Sequence, residues 1–337
     1  MLRLPYATGT TRATLVALVL AVAAPPLAAQ SAQSASSTSI ESAVRLFQAR
    51  DYGRAKAELV PVARVEPDNA AAAYYLGRIA IVDGDAQEAV TWLERATRLD
   101  PRSPTYHRWL GRAYSREVRR ANRLKQLRLA KKIRRSFETA VALAPDDVEA
   151  RHDLLQFYLI APGFAGGSVD KARAQAQAIR ARNPMLGRVA EGWIAEAGED
   201  DALAEREYAG ALAAYPDSAA PYIALGALYQ RTRQWDKAFD TYERLLKARP
   251  NQAGAYYLIG RTASLAGANL VRGEEALKTY LAKQPGEGDA PLSSAHYRLG
   301  VIYEHRGRVA EAKAQYEAAL RLDPREPDAR KALERLQ

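Results

Sequence analysis

The sequence contains no cysteine and only four histidines. Without cysteine the chain cannot form a disulfide, carry a lipid-anchored cysteine or bind a metal through thiolates. The histidines form no metal-binding pair of the His-Glu-x-x-His type, and no Gly-x-Ser-x-Gly nucleophile motif is present. His152 and Asp153 are neighbours in the chain, but adjacent residues on a helix do not face each other. We therefore expect no catalytic residue, no cofactor and no metal site.

An excess of one charge is confined to a single segment. The formal net charge is +10, and residues 116–135 contain ten Lys or Arg residues against Glu117 alone, a net charge of +9. The rest of the chain is therefore close to neutral. Such a local excess indicates a feature of that segment, for example a contact with an anionic partner, and not a property of the whole fold.

Residues 1–29 are typical of a secretory signal peptide. Arg3 and Arg12 flank the start of the segment, an apolar run follows at 13–24, and small residues end it at Ala28 and Ala29. The run is too short to span a bilayer comfortably, and a retained anchor helix is the alternative. Residues 30–39, rich in Ser, Ala and Gln, predict a flexible linker. The sequence thus predicts export to the periplasm, or secretion, after cleavage near Ala29.

The remaining chain repeats one pattern, seen most clearly in 219–252. Apolar residues there are spaced by three and four, which predicts two amphipathic helices separated by a polar turn. The small residues Gly226 and Ala238 predict a close crossing of the two helices. A glycine recurs at the phase of Gly226, with steps of 34 residues from 77 to 111, 192 to 226 and 226 to 260. A helix-ending proline recurs at the phase of Pro250.

This pattern resembles the tetratricopeptide repeat (TPR), a helix-turn-helix unit of 34 residues. The resemblance implies an all-α, right-handed α-solenoid over residues 40–326, closed by a C-terminal capping helix at 327–337. We predict about eight units, at 36–69, 70–103, 104–147, 148–184, 185–218, 219–252, 253–292 and 293–326. The third unit contains a basic insertion and the fourth a glycine-rich loop.

In TPR proteins the first helices of successive units line a concave groove, so the resemblance places one stripe of side chains there. The stripe contains Tyr74, Arg78, Arg108, Arg112, Arg116, His152, Gln156, Tyr257, Arg261 and Tyr297. A groove rich in Arg and Tyr suits carboxylates and extended peptides, because Arg forms paired hydrogen bonds and Tyr packs against them. The alternative is a solvated groove with no dedicated ligand.

The basic insertion predicts a helical hairpin with both arms lengthened by about five residues, or roughly 7 Å at the rise of an α-helix. An anionic-partner patch is predicted at Arg119, Arg120, Arg123, Arg128, Lys131, Lys132, Arg134 and Arg135. Acidic protein, anionic lipid or an envelope polysaccharide would suit it. Nucleic acid is disfavoured, because the segment has no interleaved aromatic residues and the chain has an export signal. The alternative is a hairpin that these side chains merely solvate.

A loop follows the hairpin and contains Pro162, Gly163, Gly166, Gly167 and Ser168. Pro162 and Gly163 should end one helix, and Ser168 should cap the next. The loop is either a long capped turn or a site whose free backbone amides help bind an anion. The order of basic insertion, Phe-Tyr, Ala-Pro-Gly and Gly-Gly-Ser resembles one group of exported bacterial TPR proteins.

Together these features predict a non-enzymatic protein–protein interaction scaffold of the bacterial cell envelope. Its partner would be a protein or peptide, acidic in character, that binds in the concave groove. The alternative is a peripheral binder of anionic lipid or polysaccharide that uses the hairpin at 116–135. The sequence leaves the oligomeric state open.

The leader generates the first prediction. Mass spectrometry of the exported protein should find its N-terminus near Gln30, because the small residues before it form the cleavage site. A membrane-embedded product that still begins at Met1 would contradict this and favour the retained anchor.

Overall fold

The computed structural model of the chain describes residues 40–118, 121–283 and 289–336. The signal peptide and linker predicted at 1–39 lie outside these residues, as do Arg119 and Arg120 of the predicted basic patch. The described residues belong to a single unit, Ser39–Gln337. They contain α-helices and one 3-10 turn, and no strand, so the predicted all-α solenoid is confirmed.

The helices follow one another in antiparallel pairs. Their bounds are α1 (40–48), α2 (Tyr52–Val65), α3 (Ala70–Val82), α4 (Ala86–Leu99), α5 (Pro104–Val118), α6 (Arg123–Leu143), α7 (Val148–Ile160), α8 (Val169–Arg182), α9 (Pro184–Ala197), α10 (Asp201–Ala214), α11 (Ala219–Arg231), α12 (Trp235–Ala248), α13 (Ala253–Ala266), α14 (Leu270–Leu281), α15 (Leu292–His305), α16 (Val309–Leu322) and α17 (Pro327–Arg335). The 3-10 turn, Gly163–Ala165, lies between α7 and α8. Among the described helices, none is long and apolar enough to cross a membrane.

Side-chain caps and prolines set many of the helix boundaries. Asp51, Asn69 and Asp85 each cap the helix that follows by accepting a hydrogen bond from a backbone amide of its first turn. The even-numbered helices α2, α4, α6, α8, α10, α12 and α16 each end two residues before a proline. Proline disfavours the helical conformation in the residue before it, which explains this regular ending.

In six helix pairs of the described residues, the repeated glycine of the first helix lies against a large side chain of the second. A Cβ on Gly226 would lie 2.4 Å from the ring of Tyr242, and a Cβ on Gly77 would lie 2.6 Å from Leu93. The same arrangement joins Gly111 to Phe137, Gly192 to Tyr208, Gly260 to Leu277 and Gly300 to Tyr316. The close crossing predicted at Gly226 therefore depends on the Tyr242 ring, which fills the space that the missing side chain leaves.

The basic insertion lengthens the second arm of its hairpin more than the first. Helix α6 has 21 residues, whereas α4 and α12 have 14 each. The described part of α5 has 15 residues, against 14 in α13. The expectation of equally lengthened arms was wrong, because Asn122 caps α6 by accepting a hydrogen bond from the Lys125 amide at 3.0 Å. The cap at Asn122 lies four residues after Val118, the last described residue of α5.

The core continues from one pair to the next, because each helix packs mainly against its neighbours in the chain. The last helix, α17, starts with a proline at its first turn and buries Ala329 and Ala332. Leu333 and Leu336 are partly buried against the same cluster of apolar residues. In a solenoid such local contacts make stability approximately a sum over neighbouring units.

The glycine contact gives a packing prediction. Gly226→Ala should destabilise the protein by about 1–3 kcal/mol, because the new Cβ overlaps the fully buried Tyr242 ring. Urea unfolding would measure the loss, and hydrogen exchange should show it mainly in α9 to α14. Gly53→Ala is the control, because a Cβ there meets nothing within 4 Å. An equal loss of protection along the whole chain would contradict local coupling.

Candidate functional site

A cavity of about 1050 Å³ opens between α5, α6, α7 and the 3-10 turn. Buried aromatic residues, including Trp109, Phe137 and Phe157, form part of its wall. Asp289 and Pro291, which precede α15, close another side. The cavity is therefore mostly apolar inside and bordered by a few charged groups.

Three residues of the predicted groove stripe meet in this cavity: Arg112, Arg116 and Gln156. Arg112 and Arg116 are one turn apart on α5, so they lie on the same face of that helix. Gln156 comes from α7, where Asp153 lies one turn earlier and also contacts the cavity. Arg123 of α6 adds a further cation.

Two arginines of the stripe already bind a carboxylate of the protein itself. Arg112 donates from Nε to Oδ2 of Asp153 at 2.7 Å and from Nη2 to Oδ1 at 3.0 Å. Arg108 donates from Nε to Oδ2 at 3.1 Å. Asp153 of α7 therefore accepts from donors that the groove prediction assigned to a ligand, two on Arg112 and one on Arg108. Asp153 is only 9% exposed, so the pairing is largely shielded from water.

The surroundings of Asp153 keep it ionised. Burial by itself would raise the pKa of Asp153, but hydrogen bonds from His152 and Arg112 and the charges of Arg112 and Arg108 hold it at about 2. The His152 Nδ1 lies 3.5 Å from Asp153 Oδ1, so these adjacent side chains do approach each other, contrary to expectation. His152 also packs against Trp193 at 4.9 Å between ring centroids.

The N-terminal members of the stripe are held by aromatic rings. The Arg78 guanidinium lies 4.5 Å from the ring centroid of Phe47 and 4.4 Å from that of Trp109. Its Nη1 donates to the Tyr74 hydroxyl at 2.9 Å. These cation–π contacts join the first three helix pairs, and they give Arg78 a packing role.

The C-terminal members lie outside the cavity. Tyr257 packs against Tyr280 at 5.5 Å between centroids, and Tyr297 packs against Tyr316 at 5.9 Å. Burial raises the pKa of Tyr242, and the positive charge of the nearby Arg261 acts against that rise. The structure thus separates the ten stripe residues into groups along the solenoid, and only Arg112, Arg116 and Gln156 line the cavity.

The cations of α6 divide between paired and unpaired positions. Lys132 lies 3.0 Å from a carboxylate oxygen of Glu94, and Arg134 lies 3.8 Å from one of Glu138. Lys125, which the patch did not include, pairs with Glu117 at 2.5 Å. The other described cations of the patch are exposed, and none forms an ion pair with the described residues: Arg123, Arg128, Lys131 and Arg135.

The loop after α7 uses its own amides. Those of Ala165 and Gly167 donate to the Pro162 carbonyl at 2.8 and 3.1 Å, and that of Gly166 donates to the Gly163 carbonyl at 3.0 Å. The amide of Ser168 donates to the Tyr158 carbonyl at 2.9 Å. These four amides donate within the loop and to α7, as a long capped turn requires.

Gly166 and Gly167 of this loop are each favoured over other residues for a different structural reason. Gly166 has a φ of 105°, which side-chain-bearing residues rarely adopt. A Cβ on Gly167 would lie 1.7 Å from the Ala161 carbonyl oxygen. The Ser168 side chain accepts from the Lys171 amide and caps α8, as predicted.

Sequence reasoning missed the apolar side chains at the mouth of the cavity. Phe164 and Ile160 are 82% and 77% exposed, and both line it together with Leu127. The available signal was the position of Phe164, an aromatic residue between Gly163 and Ala165 where no helical periodicity would bury it. Among the described residues, no group of three potential metal ligands is found.

The arginine–carboxylate group predicts a pH-dependent contribution to stability. Asp153→Asn should cost about 2–3 kcal/mol at neutral pH, because Arg108 and Arg112 lose their partner. Since the folded pKa lies below the usual value, this contribution is present above pH ~4 and is lost as pH falls to about 2. Urea unfolding of both proteins across this range should show their difference shrink. Asp170→Asn, whose side chain is 94% exposed, is the control.

Comparison with known proteins agrees with the repeat pattern. Models of the tetratricopeptide repeat match residues 41–104, 222–256 and 293–326. No curated protein matches the chain. Among solved structures, the APC/C hetero-tetramer Cut9–Hcn1 is similar with a TM-score of 0.47 and 14% identity over 85% of this chain. The similarity spans 52% of that chain, about half its length.

A tetratricopeptide repeat protein from Parabacteroides merdae is similar with a TM-score of 0.45 and 14% identity, over 77% of this chain and 95% of that one. These structural scores are low, and the assignment depends on the three repeat matches and on the helix pairs with their recurring glycine contact. The chain is a tetratricopeptide repeat protein.

Proposed function

We propose that this protein is a non-enzymatic scaffold of the bacterial cell envelope, and that it binds an acidic segment of a partner protein in its groove. TPR repeats are in general protein–protein interaction modules, which supports the coarse function. The observation that carries the finer proposal is the cavity between α5, α6 and α7, where cations from two helices border an apolar interior. The export part of the proposal is supported by the leader pattern at 1–29.

The charges around the cavity favour an anionic ligand. Asp153 is shared by two arginines, and Asp289 lies 3.8 Å from Arg50. Both carboxylates that the described residues place at the cavity therefore have cationic partners within the protein. Arg116 and Arg123 both line the cavity, and the exposed Arg123 can bind a carboxylate with charge-assisted hydrogen bonds.

A second candidate function is supported by the outer face of α6. Arg128, Lys131 and Arg135 lie at i, i+3 and i+7, so they share one stripe, and all three are exposed. The opposite face contains the buried Leu129, Ile133 and other core residues. This cationic stripe would suit an anionic lipid surface or polysaccharide, and a contact of this kind should weaken with salt.

Two double variants separate these functions without altering buried residues. Arg116→Gln with Arg123→Gln should reduce capture of envelope proteins by the immobilised protein about tenfold or more, since two charged contacts are lost. Arg128→Gln with Arg135→Gln should leave that capture intact and weaken cosedimentation with phosphatidylglycerol vesicles at low salt. Quantitative mass spectrometry and sedimentation would measure the two effects.

Lys247→Gln with Arg321→Gln is the matched control, because both side chains are exposed and the change in net charge is the same. Circular dichroism should show unchanged folding in all three variants. Equal capture by the Arg116/Arg123 variant and the parent would reject the groove proposal. Unchanged vesicle binding by the Arg128/Arg135 variant would reject the second candidate.

A further inference from the structure

The mouth of the cavity carries an unusual concentration of exposed apolar side chains. Phe164 and Ile160, at 82% and 77% exposed, have the highest exposure of the large apolar residues in the described ranges. Both line the same cavity, and Leu127, 41% exposed, lines it from α6. Exposed apolar groups gathered at one place, with charged groups beside them, mark an interaction surface more often than scattered single residues do.

The position of Phe164 is fixed by the backbone around it. It lies within the 3-10 turn, and the four amides that follow it, at 165–168, donate to carbonyls of the same loop and of α7. Gly167 lets the loop approach Ala161, where any side chain would collide with a carbonyl oxygen. The loop therefore presents the Phe164 ring outward as a feature of its hydrogen-bonded fold.

The apolar surface continues from the mouth into the cavity. Ala130 and Ile133 of α6 and Phe157 of α7 line the interior, and Pro162 lines it beside Phe164. A small ligand that filled only the interior would leave the outward Phe164 and Ile160 in water. A larger partner that covers the mouth would remove both side chains from water, which adds favourable apolar burial.

We propose that the cavity and its mouth are the docking site for a segment of a partner protein in which aliphatic side chains are flanked by carboxylates. The aliphatic groups enter the cavity against Phe164, Ile160 and Leu127, and the carboxylates meet Arg123. Charge complementarity selects this partner chemistry, because Arg123 is exposed at the cavity and both carboxylates that the described residues place there have arginine partners. The inference deepens the proposed function and depends on it, since it names the chemistry of the segment bound there.

Selection from a phage-displayed random peptide library tests the docking site with a defined probe. The full mature protein should enrich peptides that contain both aliphatic residues and Asp or Glu. Phe164→Ala with Ile160→Ala should select peptides that keep the acidic residues but lose the aliphatic ones. Arg116→Gln with Arg123→Gln should do the reverse. Peptides selected on the parent should bind the Phe164/Ile160 variant about tenfold or more weakly by fluorescence anisotropy.

Val65→Ala with Val271→Ala is the control for loss of exposed apolar surface, because these side chains are 76% and 59% exposed at other sites. It should select the same peptides as the parent. Acidic enrichment without aliphatic enrichment on the parent would overturn the docking site and leave the proposed function intact, whereas no enrichment of either type would count against both. If laurate binds through Phe164 and Ile160 while no peptide is enriched, the occupant is an acyl chain and the inference is wrong.

Discussion

The contact between a glycine of the first helix and a large side chain of the second is the constraint on which the solenoid depends. In most pairs the large residue follows its glycine by sixteen or seventeen positions, as Tyr208 follows Gly192, whereas Phe137 follows Gly111 by twenty-six. The ten inserted residues thus lie between the two contacting positions and leave the contact itself unchanged. The repeat can therefore accept a basic hairpin because the extra residues project beyond the packed crossing.

The same aromatic side chains also link the two helices by hydrogen bonds. The Tyr208 hydroxyl donates to Glu196 at 2.5 Å, and the Tyr316 hydroxyl donates to Glu304 at 2.8 Å. In each tyrosine, burial and the neighbouring carboxylate raise the pKa, so the hydroxyl stays protonated and continues to donate. At the position of α11 that corresponds to Glu196 and Glu304, the chain has Gln230. Its side-chain amide donates to the Thr262 hydroxyl instead. The Tyr242 ring therefore keeps its packing against Gly226 although its hydroxyl has no carboxylate to donate to.

The faces of the long helix α6 have different surroundings. One face enters the core, a second borders the cavity, and a third presents unpaired cations to solvent. The cations on the remaining flank bind carboxylates of neighbouring helices, as Lys132 does with Glu94. The net charge of the segment therefore overstates the charge available to a partner, because part of it is compensated within the solenoid. Among the described residues of this segment, the exposed cations that form no ion pair are Arg123 at the cavity and Arg128, Lys131 and Arg135 along the outer stripe.

The amino-acid sequence by itself determined the repeat, because apolar spacing, recurring glycine and helix-ending proline are all local signals. It also located the insertion and the Ser168 cap. Only the tertiary structure decided which groove residues can meet a ligand. Asp153 is 41 positions from Arg112 in the chain, and no local periodicity indicates that its carboxylate would occupy that guanidinium. The exposed Phe164 likewise depends on hydrogen bonds and steric contacts of a folded loop. Pairing and exposure are properties of neighbours in space, and the packing of separate helices determines those neighbours.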